Sequence, residues 1–162
     1  MPSDPARQTR DYIAEQARTR TVEQVIELVE ADTVRLHENG RSFPPDDLGR
    51  PLDGDWTPLA CVVHIVERSM LRAREVLYVA VSGELPPPEE LSLPADLEGL
   101  LATHREAIDS LYAHVREAPE DFKSFEWSHP FFGAMTWPEW LVFIHVHIAD
   151  HAGQLERMAA AR

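Results

Sequence analysis

A chain of 162 residues suits one domain of ordinary size with a single substantial core. With 44% hydrophobic and 27% charged residues its composition is globular, and no run approaches the roughly eighteen apolar residues needed to span a bilayer. The 28 acidic against 15 basic side chains give a formal net charge of -13, which repels phosphate backbones and anionic lipid surfaces, so neither nucleic acid nor a membrane is an expected partner. The stretch MPSDPARQTRDYIAEQ has no apolar signal-peptide core, and the lone cysteine, Cys61, excludes an intrachain disulfide and every CxxC pattern. A cytoplasmic protein is expected, and any metal site in it must be built from His, Asp and Glu.

Residues 1–20 are polar with an isolated Tyr12-Ile13, and read as a frayed arm or a short extra helix ahead of one domain over residues 21–162. The first helical pattern runs from about Thr21 to Asn39. Thr21 and Gln24 form a capping box, Val22, Val25, Ile26, Val29 and Leu36 recur at helical spacing, and Gly40 is the expected left-handed stop. After the loop RSFPPDDLGRPLDGDW, Thr57-Pro58 opens a second helix reaching about Ser82, with an inward stripe of Leu59, Val62, Val63, Val66, Met70, Ala73 and Leu77 and Gly83 as its stop.

A third helix is expected from about Asp96 to Glu117, with Leu97, Leu100, Leu101, Ile108, Leu111, Tyr112 and Val115 inward. The segment APEDFKSFEWSHPFFGAM then reads as a long loop, and Thr136 with Glu139 caps a fourth helix reaching about Ala160. Strand evidence is thin, confined to YVAVSG and KSFEW. Four amphipathic helices predict an all-α four-helix bundle, and the long connections allow a crossover, so the pattern alone does not fix an up-down-up-down order.

The chemistry is concentrated in HVHIADHAGQLERM, residues 145–158. Helix residues four apart share a face, so His147 and His151 point the same way, while His145, about 200° from His147, points to the other side. Ile144, Leu155 and Met158 fall beside the pair and mark its face as largely buried. Such a pair by itself is either a metal-binding pair or two satisfied helix histidines, and a third ligand decides between them. His64, set in CVVHIVER within the second helix, is the candidate; otherwise it is a core histidine bonded to a backbone carbonyl or to Glu67.

Trp56, Pro58 and His64 around a helix start, then HPFFGAMTWPEW, then His147, His151 and Gln154 as HxxxHxxQ, together resemble the DinB/YfiT-like family of metal-binding four-helix proteins over about residues 20–160. The resemblance implies a bundle with a crossover connection, frequently a dimer, holding one divalent ion through His64, His147 and His151. Three imidazoles leave coordination positions open, as in catalytic centres, and suit zinc or nickel. Gln154, one turn past His151, is either a support for a ligand or bound water or a solvent-exposed helix residue. Asp150 reads as a surface charge or a group reaching the site, Cys61 as a small buried side chain or the partner of His64 in a metal pair, and His129 as part of a packed loop that leads into the ligand helix, where it is placed to line the pocket. Only one Glu-x-x-His unit occurs, Glu126 to His129, so a di-iron carboxylate bundle lacks its parts, and HExxH, Gly-x-Ser-x-Gly and phosphate-binding glycine loops are absent from the sequence.

The resemblance further implies a homodimeric enzyme acting on a small-molecule substrate, in which the metal activates a low-molecular-weight thiol, as in a thiol S-transferase. Its alternatives are a metal-dependent hydrolase using metal-bound water, and a non-catalytic metal-binding or stress-response protein. A deep pocket above an open coordination position speaks for an enzyme; closure by a fourth protein ligand speaks for storage or structure.

Overall fold

The structure, a computed structural model, describes residues 4–162, so Met1 to Ser3 of the expected arm lie outside the described residues. The bundle helices begin where their caps dictate. Thr21 Oγ1 accepts from the Gln24 backbone N–H (3.2 Å) while the Gln24 side chain accepts from the Thr21 N–H (3.0 Å), opening α2 (Val22–Arg41). Thr57 Oγ1 accepts from Ala60 N–H (3.0 Å) ahead of α3 (Pro58–Ser82), and Asp96 accepts from Gly99 N–H (2.8 Å) ahead of α4 (Leu97–Arg116). At α5 (Trp137–Ala160) the Glu139 carboxylate accepts from the Thr136 N–H (2.9 Å). These bonds satisfy backbone donors that a helix start otherwise leaves without partners.

Residues 5–19 form a further helix, α1 (Pro5–Thr19), laid on α5 by the buried Ile13 and by Arg10, whose guanidinium donates to Glu139 (2.8 Å) and to the Ala134 carbonyl (3.2 Å). Between α4 and α5 the chain makes a hairpin of β1 (Glu126–His129) and β2 (Gly133–Thr136), paired antiparallel with Trp127 opposite Met135 and His129 opposite Gly133. The hairpin replaces the expected loop. Its four-residue strands carry little pattern of their own and are pinned from outside, by the Trp127 ring stacked on Trp140 (5.1 Å, 9°) and by the left-handed Gly133 (φ 72°) at the turn.

Interhelical partners fix the directions of the helices. Glu23 pairs with Arg116, Glu30 with Arg105, His37 with His104 and Arg41 with Glu98, so α2 and α4 are antiparallel. Asp32 meets His145 and Arg35 meets Glu156, which makes α2 parallel to α5. His64 meets His151 while Arg72 lies over Trp140, so α3 is antiparallel to α5. It follows that α3 and α4 run the same way, and the order is up-down-down-up. Around the bundle α2 packs on α5, α5 on α3, α3 on α4 and α4 on α2. Parallel neighbours need a full-length return, which residues 83–96 supply: extended, they reach about 46 Å, against roughly 37 Å for α3. Arg74 holds that return to α3 through the Pro87 carbonyl (2.7 Å) and Glu89 (2.8 Å). The four-helix bundle and its crossover are therefore as expected.

Two details correct the expectation. Gly40 does not stop α2, which continues to Arg41 with Ser42 as its cap. Gly40 is buried with Val62 and Leu97 side chains beside it, and its φ is not positive. Val63 is 36% exposed, and the buried stripe of α3 passes instead through Cys61, Val62, Ile65, Val66, Ala73 and Val76. Among the described residues no helix is long and apolar enough to cross a membrane.

Polar groups are buried at one point of the α2–α4 contact, where His37 Nε2 lies 2.9 Å from His104 Nδ1. Burial, with Arg41 and Arg105 nearby, pushes His37 down to about 4, with Glu30 and Glu98 opposing. Burial pushes His104 down to about 3, with His37 and Arg105 acting in the same direction. Both rings are thus neutral in the fold and titrate near 6.5 once unfolded. The unfolded state binds more protons below that point, so the stability contributed by this pair is full above pH 6.5 and is lost as pH falls toward 4. Urea denaturation from pH 7 to 4.5 is expected to show this decline, with a shallower slope in a His37→Gln/His104→Gln double variant. Gly83, closing α3 at φ 70°, has the Phe122 ring 2.5 Å from where a Cβ would stand. Gly83→Ala is expected to lower stability by at least about 1–2 kcal/mol in the same assay.

Candidate metal centre

His64 sits in the second turn of α3, and His147 and His151 occupy successive turns of α5. Antiparallel packing of these helices brings one nitrogen of each ring within 4.8 Å of the others. His147 Nε2 lies 3.2 Å from His151 Nε2, and the His64 ring stands 5.0 Å from that of His151 and 5.6 Å from that of His147. His151 is buried, whereas His64 and His147 are half-buried toward a cleft.

A chain of polar contacts fixes the His151 ring. Gln154 Oε1 can only accept, so His151 Nδ1 donates its proton there (2.9 Å) and keeps a free lone pair on Nε2. The Gln154 amide then donates to Asp53 (3.1 Å), and the Cys61 thiol also reaches Gln154 Oε1 (3.4 Å). Asp53 belongs to a tight turn with Gly54 at φ 58°, closed by the Trp56 N–H donating to the Asp53 carbonyl (3.0 Å). Trp56, carried by that turn, sets its ring 5.5 Å from His64 and 6.2 Å from His151.

The donor set suits one divalent ion. Metal–nitrogen bonds of 2.0–2.1 Å place tetrahedral ligand atoms roughly 3.3 Å apart, close to the His147–His151 separation. Burial, reinforced by His151 and His64, pushes His147 down to about 3; burial and then His151 lower His64. Those rings are neutral near pH 7, the state that offers a lone pair. Among the described residues no Cys, Asp or Glu joins the three histidines.

His145 lies outside the cluster. Its Nδ1 meets Asp32 (2.6 Å), Tyr12 Oη lies 3.2 Å from its Nε2, and the contact ties α1 and α2 to α5. Asp150 is exposed, and buried Gln154 braces His151. His129, expected in a packed loop, ends β1 and lines the cleft.

The cleft, about 420 Å³, opens from His64 and His147 between α3, α5 and the hairpin. Three of its residues escaped the sequence reading. Arg68 and Arg72 follow His64 at four and eight positions, and Phe143 precedes His147 by four, stacking on it at 5.4 Å. The helical period that aligned His147 with His151 applies equally to them.

The family model of the DinB superfamily matches residues 35–155. The chain belongs to the DinB superfamily. The crystal structure of TT2238, a four-helix bundle protein, is similar at a TM-score of 0.67 and 26% identity, over 84% of this chain and 98% of that one. A histidine-to-alanine mutant of the mycothiol-dependent maleylpyruvate isomerase is similar in fold at a TM-score of 0.68 and 18% identity, over 86% of this chain but only 62% of that one. No curated protein matches.

In this DinB-superfamily chain the one thiol is sealed in. Cys61 is fully buried, and burial with Asp150 and Asp53 nearby pushes it up to about 12. Iodoacetamide at pH 8 is expected to leave Cys61 unmodified in the native protein and to alkylate it fully in urea, as read by intact mass.

Proposed function

We propose that this protein is a metal-dependent enzyme in which His64, His147 and His151 hold one divalent ion, zinc or nickel, to activate a low-molecular-weight thiol for transfer to an electrophilic substrate. The observation that supports it best is the three-nitrogen cluster at the foot of an open cleft, with no fourth protein ligand among the described residues. Such an ion, when bound, lowers the pKa of a coordinated thiol or water and makes a nucleophile available near pH 7.

The chain's own groups divide the remaining work. Gln154 holds the His151 proton on Nδ1, away from the cluster, and Asp53 orients Gln154. Trp56 packs edge-on to His64 and Phe143 stacks on His147, which limits how those two rings turn. Cys61, protonated and buried, does not serve as the nucleophile, so that group comes from outside the chain. A thiol is preferred to water because the similar isomerase is mycothiol-dependent.

Untagged protein reconstituted with zinc or nickel is expected to carry one ion per chain by elemental analysis. His64→Ala, His147→Ala and His151→Ala should each abolish that, Gln154→Ala should weaken affinity about 10- to 100-fold, and His145→Ala should leave it intact. Metal-dependent consumption of a thiol with 1-chloro-2,4-dinitrobenzene tests the transfer. Protein that takes up no ion after reconstitution overturns the site.

A further inference from the structure

Nine residues line the cleft, His64 and His147 among them; two are arginines and none carries a carboxylate. The chain as a whole has almost twice as many acidic as basic side chains, and the groove between α2 and α4 is lined by Glu23, Glu27, Glu30 and Asp109 against one arginine. Two arginines and no carboxylate on its walls make this cleft, in so acidic a protein, a place where an anion meets less repulsion than over the rest of the surface.

The three polar groups besides the imidazoles of α3 and α5 are all donors. Arg72 is fixed: its guanidinium donates to Glu75 (2.6 Å), which also accepts from Trp127 Nε1 (3.2 Å), and it lies 4.8 Å over the Trp140 ring. One of its five N–H groups is engaged there, and others remain free. Arg68, one turn nearer His64, is about half exposed, and its nearest carboxylate, Glu67, is 3.9 Å away. His129 Nδ1 accepts from the backbone N–H groups of Phe131 (3.0 Å) and Phe132 (3.3 Å), so the ring is neutral and its proton sits on Nε2 as a donor. The other walls are Pro130, Phe131, Phe132 and Phe143.

We infer that Arg68, Arg72 and His129 form a carboxylate-binding subsite, and that the substrate taken beside the histidine cluster is an organic acid with a flat apolar body. The two guanidinium groups hold the carboxylate with charge-assisted bonds, and the phenylalanines cover the body. Arg68, Arg72 and His129 are positioned for binding; the carboxylate belongs to the electrophile and not to the thiol, because a polar thiol cofactor gains little from aromatic walls. As a substrate subsite this rests on the metal-enzyme reading, whereas the binding itself does not need the ion.

The test is an NMR titration of metal-free and zinc-loaded protein with benzoate, benzamide and reduced glutathione. Metal-free protein is expected to bind benzoate at least about tenfold more tightly than benzamide, the scale of one good charge-assisted contact. Arg68→Gln and Arg72→Gln should each remove that preference while zinc content stays at the wild-type level, and glutathione binding should not change. The inference is overturned if benzoate is not preferred, if neither arginine variant alters the preference, or if the preference exists only with zinc present, where benzoate is ligating the ion. It is equally overturned if glutathione alone loses affinity in the arginine variants, which would assign the carboxylate to the thiol. Loss of zinc binding with the benzoate preference intact defeats the metal reading and leaves the subsite standing.

Discussion

Antiparallel packing of α3 on α5 in a single register is the constraint on which the site depends. His64 faces His147 and His151 at one level, while eight residues further along α3 Arg72 lies over Trp140 of α5. A slip of one turn, about 5.4 Å, would carry His64 beyond the reach of a shared ion and would draw Arg72 off its indole. Two clamps resist such a slip. At one end Trp127, stacked on Trp140, donates to Glu75 of α3; at the other, Cys61 reaches Gln154 and His151 of α5. The interdigitated core between them makes the register discrete, because ridges of side chains fit only at intervals of a turn.

The up-down-down-up order follows from how this contact is reached. Consecutive helices α2 and α3 lie diagonally across the bundle, as do α4 and α5, so each connection must cross an end. The α4–α5 connection carries the hairpin, and the crossing brings His129 and Phe131 over the open side of α3 and α5. The return of residues 83–96, proline-rich and extended, sits on the α3–α4 side, away from the cleft. One wall of the cleft is thus a consequence of topology: a bundle joined by short turns would leave the imidazoles facing solvent.

Legibility in the sequence tracks the range of the interaction. Caps at Thr21, Thr57 and Thr136 involve neighbours three residues on, and the phase of His147 against His145 is a property of one helix, so both are legible locally. His64 lies 83 positions before His147, and periodicity alone left it open; only the resemblance to the family singled it out. Arg68 and Arg72 share the phase of His64, yet arginine on a helix ordinarily marks a solvated face, and nothing local says that another helix and a hairpin close over that face. The hairpin shows in the sequence only as the weak β-like run KSFEW, which reaches into β1 at Glu126 and Trp127, since its strands are held by Trp127 on Trp140 more than by their own pattern. Gly40 misled because a glycine near a helix end is a common stop, while here its position beside Val62 and Leu97 lets α2 run on.

The same geometry keeps the three imidazoles ordered. Three imidazole nitrogens turned toward one another are partly desolvated, and two of them stand 3.2 Å apart, a spacing that suits a shared cation or a shared proton. With the His151 Nδ1 proton committed to Gln154, the 3.2 Å contact is met by a proton on His147 Nε2, and offering that nitrogen to a cation would need only the neutral ring's proton to shift to Nδ1. The protein side of the site need not rearrange, because Asp53 holds Gln154 and the turn around Gly54 holds Asp53. The connection from α2 to α3 therefore extends the rigidity of the bundle to its polar centre: the loop that begins α3 also sets the tautomer of a histidine on α5.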